Sequence, residues 1–118
     1  MTLDDYFIGN DESRKLFEAL HSMIESLGSI QVRVTKSQIA FVRRKPFAWA
    51  WIPGRYLRGR GAPLVLTLSF RQKDPSPRWK EIVEPAPGRF THHLELFSIR
   101  DVNDQVHAWL LAAWAKAA

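Results

Sequence analysis

"PGRFTHHLELFSIRD", residues 87–101, decides the fold, because its alternation can be read in only one way as a strand. Successive side chains of a strand point to opposite faces. Phe90, His92, Leu94 and Leu96 therefore share one face, and Thr91, His93 and Glu95 share the other. One side is apolar apart from a histidine, and the other is polar, as expected of a sheet covered on one face and open on the other. His92 falls in with the apolar set and reads as a hydrogen-bonded core histidine, since buried polar groups find local partners. His93 and Glu95 stand two residues apart on the open face. That spacing suits an imidazole oriented by a carboxylate, as a general base or metal ligand requires, and equally a plain surface pair.

Working outward, the same period recurs. In "PLVLTLSFR" (63–71), Leu64, Leu66, Leu68 and Phe70 face the core while Thr67, Ser69 and Arg71 face out. "SIQVRVT" (29–35) turns Val32 and Val34 inward and Gln31 and Arg33 outward. "SQIAFVRR" (37–44) places Ile39 and Phe41 inward and Val42 and Arg44 outward. "FAWAWI" (47–52) is a further strand, and its facing is open: Phe47, Trp49 and Trp51 share one side, Ala48, Ala50 and Ile52 the other. Apolar area favours the aromatics as core. Facing outward, they form a stacking platform. "DPSPRWKEIVEPAPG" (74–88) is broken by prolines and predicts a short helical turn at Trp79–Val83.

Two helices flank the strands. Leu16, Phe17, Leu20, Met23, Ile24 and Leu27 recur at three- and four-residue steps, with Asn10 or Asp11 as cap and Gly28 beyond the end. Val102, Val106, Trp109, Leu110 and Ala113 mark a C-terminal helix, with Ser98 or Asp101 as its cap and Trp114 beside its inner stripe, a candidate contact surface for a homodimer. The expected fold is α+β: a two-layer sandwich, an about five-stranded mainly antiparallel sheet with both long helices on one face, in the order α-β-β-β-β-short helix-β-α. Residues 1–118 read as one domain.

Composition limits the chemistry. Cysteine is absent, so thiolate metal sites, disulfides and thiol nucleophiles are excluded. His21 and His107 lie at no ligand spacing to the central pair, so neither a metal nor a cofactor is expected. No apolar run follows a basic head at the N-terminus and none reaches membrane-spanning length, which predicts a cytoplasmic protein without a membrane partner. The net charge of +5 conceals an asymmetry. From Arg33 to Arg89 there are 13 Lys and Arg against 3 acids, a surplus of ten, whereas the two ends together carry 4 bases and 9 acids. A basic middle favours an anionic partner.

Arginines beside hydroxyls, aromatics and a histidine define the candidate anion site: Arg33, Arg44, Arg71, His93 and Glu95, with Trp49 and Trp51 if they face outward. Lys36, in the turn after the first strand, adds a point charge at the sheet edge. The loop "PGRYLRGRG" (53–61) contributes Arg55, Arg58 and Arg60, and it lacks the Lys-Ser/Thr ending of a phosphate-binding loop. No nucleophile elbow, carboxylate dyad or cofactor loop is present, so a binding module is expected before an enzyme.

"YFIGNDES", "VTKSQIAFVRRKPFAWAWIP", "SPRWKEIVEPAPGRFTHHLEL" and "DVNDQVHAWLLAAW" together resemble a bacterial family catalogued as a domain of unknown function, DUF5655. The likeness spans nearly the whole chain and implies an accessory or binding module, with no activity to carry over. The expected partner is nucleic acid. A small phosphate- or carboxylate-bearing ligand at His93, Glu95, Arg33 and Arg71 is the alternative, and a protein-interaction or homodimer surface a third.

Overall fold

The hairpin that ends at Leu96 forms one edge of the molecule's single sheet. The structure is a computed structural model. It describes residues 1–55 and 61–118, Arg55 by its backbone alone. β1 (Gln31–Val34), β2 (Ile39–Val42), β3 (Pro46–Trp51), β4 (Leu64–Phe70), β5 (Glu81–Ala86) and β6 (Arg89–Leu96) form one sheet of order β1-β2-β3-β4-β6-β5. Every neighbouring pair is antiparallel. A short α1 (Leu3–Tyr6) precedes α2 (Asp11–Glu25), and α3 (Asp104–Lys116) closes the described chain.

The expected α+β architecture is present, with β5 in place of the predicted helical turn at Trp79–Val83. Ile82 pairs with His92 and so adds an apolar side chain to the covered face, which a lone helical turn would not do. Its one proline, Pro85, sits where a strand tolerates it, on the sheet edge and in the bulge between Val83 and Ala86. Gly88 has a φ of 73°, and its N–H donates to Glu84 Oε2 at 3.0 Å to close the turn.

The covered face carries Ile39, Phe41, Leu64, Leu66, Leu68, Leu94 and Leu96, all at or near zero exposure. α2 lays Leu16, Phe17, Leu20 and Ile24 on it, and α3 adds Val106, Leu110 and Ala113. Each buried Val, Leu, Ile or Phe among these contributes about 1.5–3 kcal/mol. α3 rests on β3 and β4. Ala48 and Ala50 point inward beneath that layer, fully buried and paired with Leu68 and Leu66. Small side chains there leave room for the helix, and by alternation they send Trp49 and Trp51 to the opposite face. The area argument for a Trp core is thereby overturned. Phe47, beside the bulge between Phe41 and Val42, is buried with the core.

The caps are also settled. Asn103, not Ser98 or Asp101, caps α3, its Oδ1 accepting from Val106 N–H at 3.2 Å. The Asp101 carboxylate instead accepts from the N–H groups of Phe97 and Ser98 at 2.8 and 3.2 Å. Among the described residues no helix is long and apolar enough to cross a membrane.

Candidate functional site

The ladder registers line up one row on the open face: Arg33 opposite Ala40, Ala40 opposite Trp49, Trp49 opposite Thr67, Thr67 opposite His93, and His93 opposite Glu81. In the middle of this row the polar groups are tied together. The Trp51 indole N–H donates to Thr67 Oγ1 at 2.9 Å, and Thr67 Oγ1 lies 2.8 Å from His93 Nδ1. The Trp51 and His93 rings meet edge to face at 5.9 Å. An indole can only donate. If Thr67 accepts from Trp51 and donates its O–H to Nδ1, the one ring N–H proton of a neutral His93 sits on Nε2. Burial pushes the His93 pKa below its ordinary value; Glu81 opposes this and His92 and Lys80 reinforce it.

Two concavities adjoin here: the smaller opens on this face, and the larger lies at the strand ends, between Trp49, Ser69 and Arg89 of this face and the C-terminal end of α3. The smaller, about 360 Å³, is lined by Trp49, Trp51, Thr67 and His93, with Gln38, Ser69, Thr91 and Arg89 around them. Gln38 is placed by the β1–β2 turn, where Thr35 Oγ1 accepts from the N–H of Gln38 at 3.2 Å. The larger, about 560 Å³, shares Trp49, Ser69 and Arg89 with it and adds Lys45, Arg71 and Lys116. No Asp or Glu lines either one. Among the described residues none of these four cations forms a salt bridge; the ion pairs belong to Arg14, His21 and Lys80. Lys116 Nζ stands 5.4 Å from the Phe70 ring centroid.

Of the residues singled out from sequence, Trp49, Trp51, Arg71 and His93 are brought together here. Arg33 is not: three strands separate β1 from β6, about 19 Å at the usual strand spacing. Glu95 shares the open face with His93 but is held by Lys80 Nζ at 3.6 Å, so Thr67 takes the place expected of the carboxylate. Lys36 and Arg44 line neither concavity. The backbone N–H of Arg44 donates to Ala117 O at 3.1 Å. Arg58, Arg60 and the Arg55 side chain lie outside the described residues.

Gln38, Lys45, Arg89 and Lys116 were missed. Arg89 was within reach of the alternation that placed Thr91 and His93. Lys116 carries no sequence signal, because it reaches the sheet only through the docking of α3.

His92 is the core residue its position predicted. It is fully buried, its Nδ1 donates to Phe90 O at 3.0 Å, and its Nε2 accepts from Asp74 N–H at 3.0 Å. Phe70 and Trp79 contact it edge to face. Trp114, expected beside the inner stripe of its helix, is half-buried beneath the Arg43 guanidinium, 3.5 Å from centroid to Cζ. Among the described residues no group of three or more potential ligands could hold a metal.

A family model described as Domain of unknown function (DUF5655) matches residues 3–117. The chain belongs to that family. No curated protein and no solved structure matches it. The matched span takes in every strand that builds the open face, so the concavities belong to the DUF5655 domain itself.

Proposed function

We propose that this DUF5655 domain is a binding module for single-stranded nucleic acid, held along the open face of the sheet. The observation that carries the reading is the pair of adjoining concavities, in which two tryptophans lie among four cations with no carboxylate. Unpaired bases stack on aromatic side chains while Lys and Arg track the phosphates, and this combination is what sequence-tolerant single-strand binders use. The alternative small-ligand site built on Arg33, Glu95, Arg71 and His93 loses support from the distance of Arg33 and the pairing of Glu95 with Lys80.

Fluorescence anisotropy with labelled single-stranded DNA and RNA tests the reading. Binding at low salt should weaken with added salt, and Trp49→Ala should reduce affinity about tenfold or more, within the range for one stacked base. Absence of binding at low salt refutes it.

A further inference from the structure

The two concavities differ in chemistry. The larger is cationic. The smaller is walled by Trp49 and Trp51, and most of its polar groups carry no charge: the Gln38 amide, the Ser69 and Thr91 hydroxyls, and His93 Nε2. Thr67 Oγ1 is occupied by Trp51 and His93. The other four groups make no hydrogen bond to protein among the described residues. Such a wall offers little to a phosphate beyond Arg89, since charge-assisted hydrogen bonds are the ones that hold anions. It matches a flat heterocycle with donors and acceptors on its edge, which indoles can stack against while an amide and hydroxyls read it. Its volume of about 360 Å³ falls within the roughly 300–1,000 Å³ usual for small-molecule sites. Arg89, Trp49 and Ser69 line both concavities, so a group seated in one adjoins a group seated in the other.

Resting on the nucleic-acid reading, we infer that the smaller concavity is a base pocket that takes a single nucleobase, with the phosphate of the same nucleotide in the cationic concavity. A lone nucleoside monophosphate is therefore a ligand, and the pocket discriminates among bases through Gln38.

Calorimetric titration of the full chain at low salt compares the four nucleoside 5′-monophosphates with their nucleosides and with ribose 5-phosphate. At least one monophosphate should bind, and both kinds of fragment should bind about tenfold more weakly or worse, equivalent to 1.4 kcal/mol. Gln38→Ala should weaken that monophosphate about fivefold, as loss of one hydrogen bond does, and leave ribose 5-phosphate unchanged. Gln38 is exposed, so the variant should fold, and an unchanged Tm verifies this. Ribose 5-phosphate binding as tightly as the nucleotide overturns the base pocket. So does an oligonucleotide that binds while no monophosphate does; in both cases the groove reading stands. If neither oligonucleotide nor monophosphate binds, both readings fall.

Discussion

A proton added to His92 Nε2 would face the backbone N–H of Asp74, donor against donor, in a site with no exposure to water. Burial accordingly pushes the His92 pKa below its ordinary 6.5, against the opposing pull of the Phe90 carbonyl and the Asp74 carboxylate. His93 is shifted the same way, by burial first. The unfolded chain then takes up protons below pH 6.5 that the native state refuses, so stability is complete above that pH and falls as pH drops through it. Urea midpoints at pH 7.5 and 5.5 should show this loss, and His92→Asn should reduce the difference. An unchanged difference means that His92 is not the group responsible. At neutral pH, His92→Ala leaves the Asp74 N–H without an acceptor and removes the ring between Phe70 and Trp79, at a cost of about 1–3 kcal/mol. His93→Ala removes a ring that is only half-buried, together with one hydrogen bond to Thr67, and should cost about 1 kcal/mol. A larger loss at His93 than at His92 contradicts the assigned faces.

At the scale of elements, a close fit joins the segment after α2 to α3. Gly28 has a φ of 153°, and a Cβ placed on it would stand 2.5 Å from Cζ2 of Trp114. The Trp114 ring has no easy retreat, since Arg43 stacks on it and donates from Nη1 to the Trp114 carbonyl at 3.0 Å. Gly28→Ala should therefore destabilise by about 1–3 kcal/mol, from strained backbone and overpacking together. Thermal unfolding checks this, and a neutral effect would mean that the two helices are less tightly joined than the geometry shows. Gly28 was legible as the residue that follows a helix, but its contact with Trp114 was not, because that contact joins residues 86 positions apart. The same distinction runs through the sheet. Alternation was enough to place His92 inside and His93 outside. For β3 it gave two consistent answers, and only the layer of α3 above Ala48 and Ala50 chooses between them. β5 was hidden for a related reason: the prolines in and around it signal a broken segment locally, and its strand character comes from pairing with β6.

Over the whole molecule, charge is segregated more strongly than the net +5 suggests, and the groove collects four of the cations of the basic middle and of α3. Surface cations that already have partners should matter little to an anion. Arg14, bonded to Asp4 at 2.6 Å and to Glu18 at 3.1 Å, is such a case. Lys45, Arg71, Arg89 and Lys116 have no carboxylate among their described neighbours in the groove. For a single strand, log K falls with log salt with a slope of about −0.7 per phosphate neutralised, so four contacts predict a slope near about −3. Removing Arg71 and Arg89 together, as the double Gln variant, should bring the slope to about −1.4, whereas Arg14→Gln should leave it unchanged. Arg33→Gln supplies a stricter control, since Arg33 shares the open face but lies across β2, β3 and β4 from His93. If the slope falls equally for Arg33→Gln and for each groove arginine, binding follows the overall field of the basic middle and not the groove. If it falls only for Arg71 and Arg89, the phosphates run where the two concavities meet.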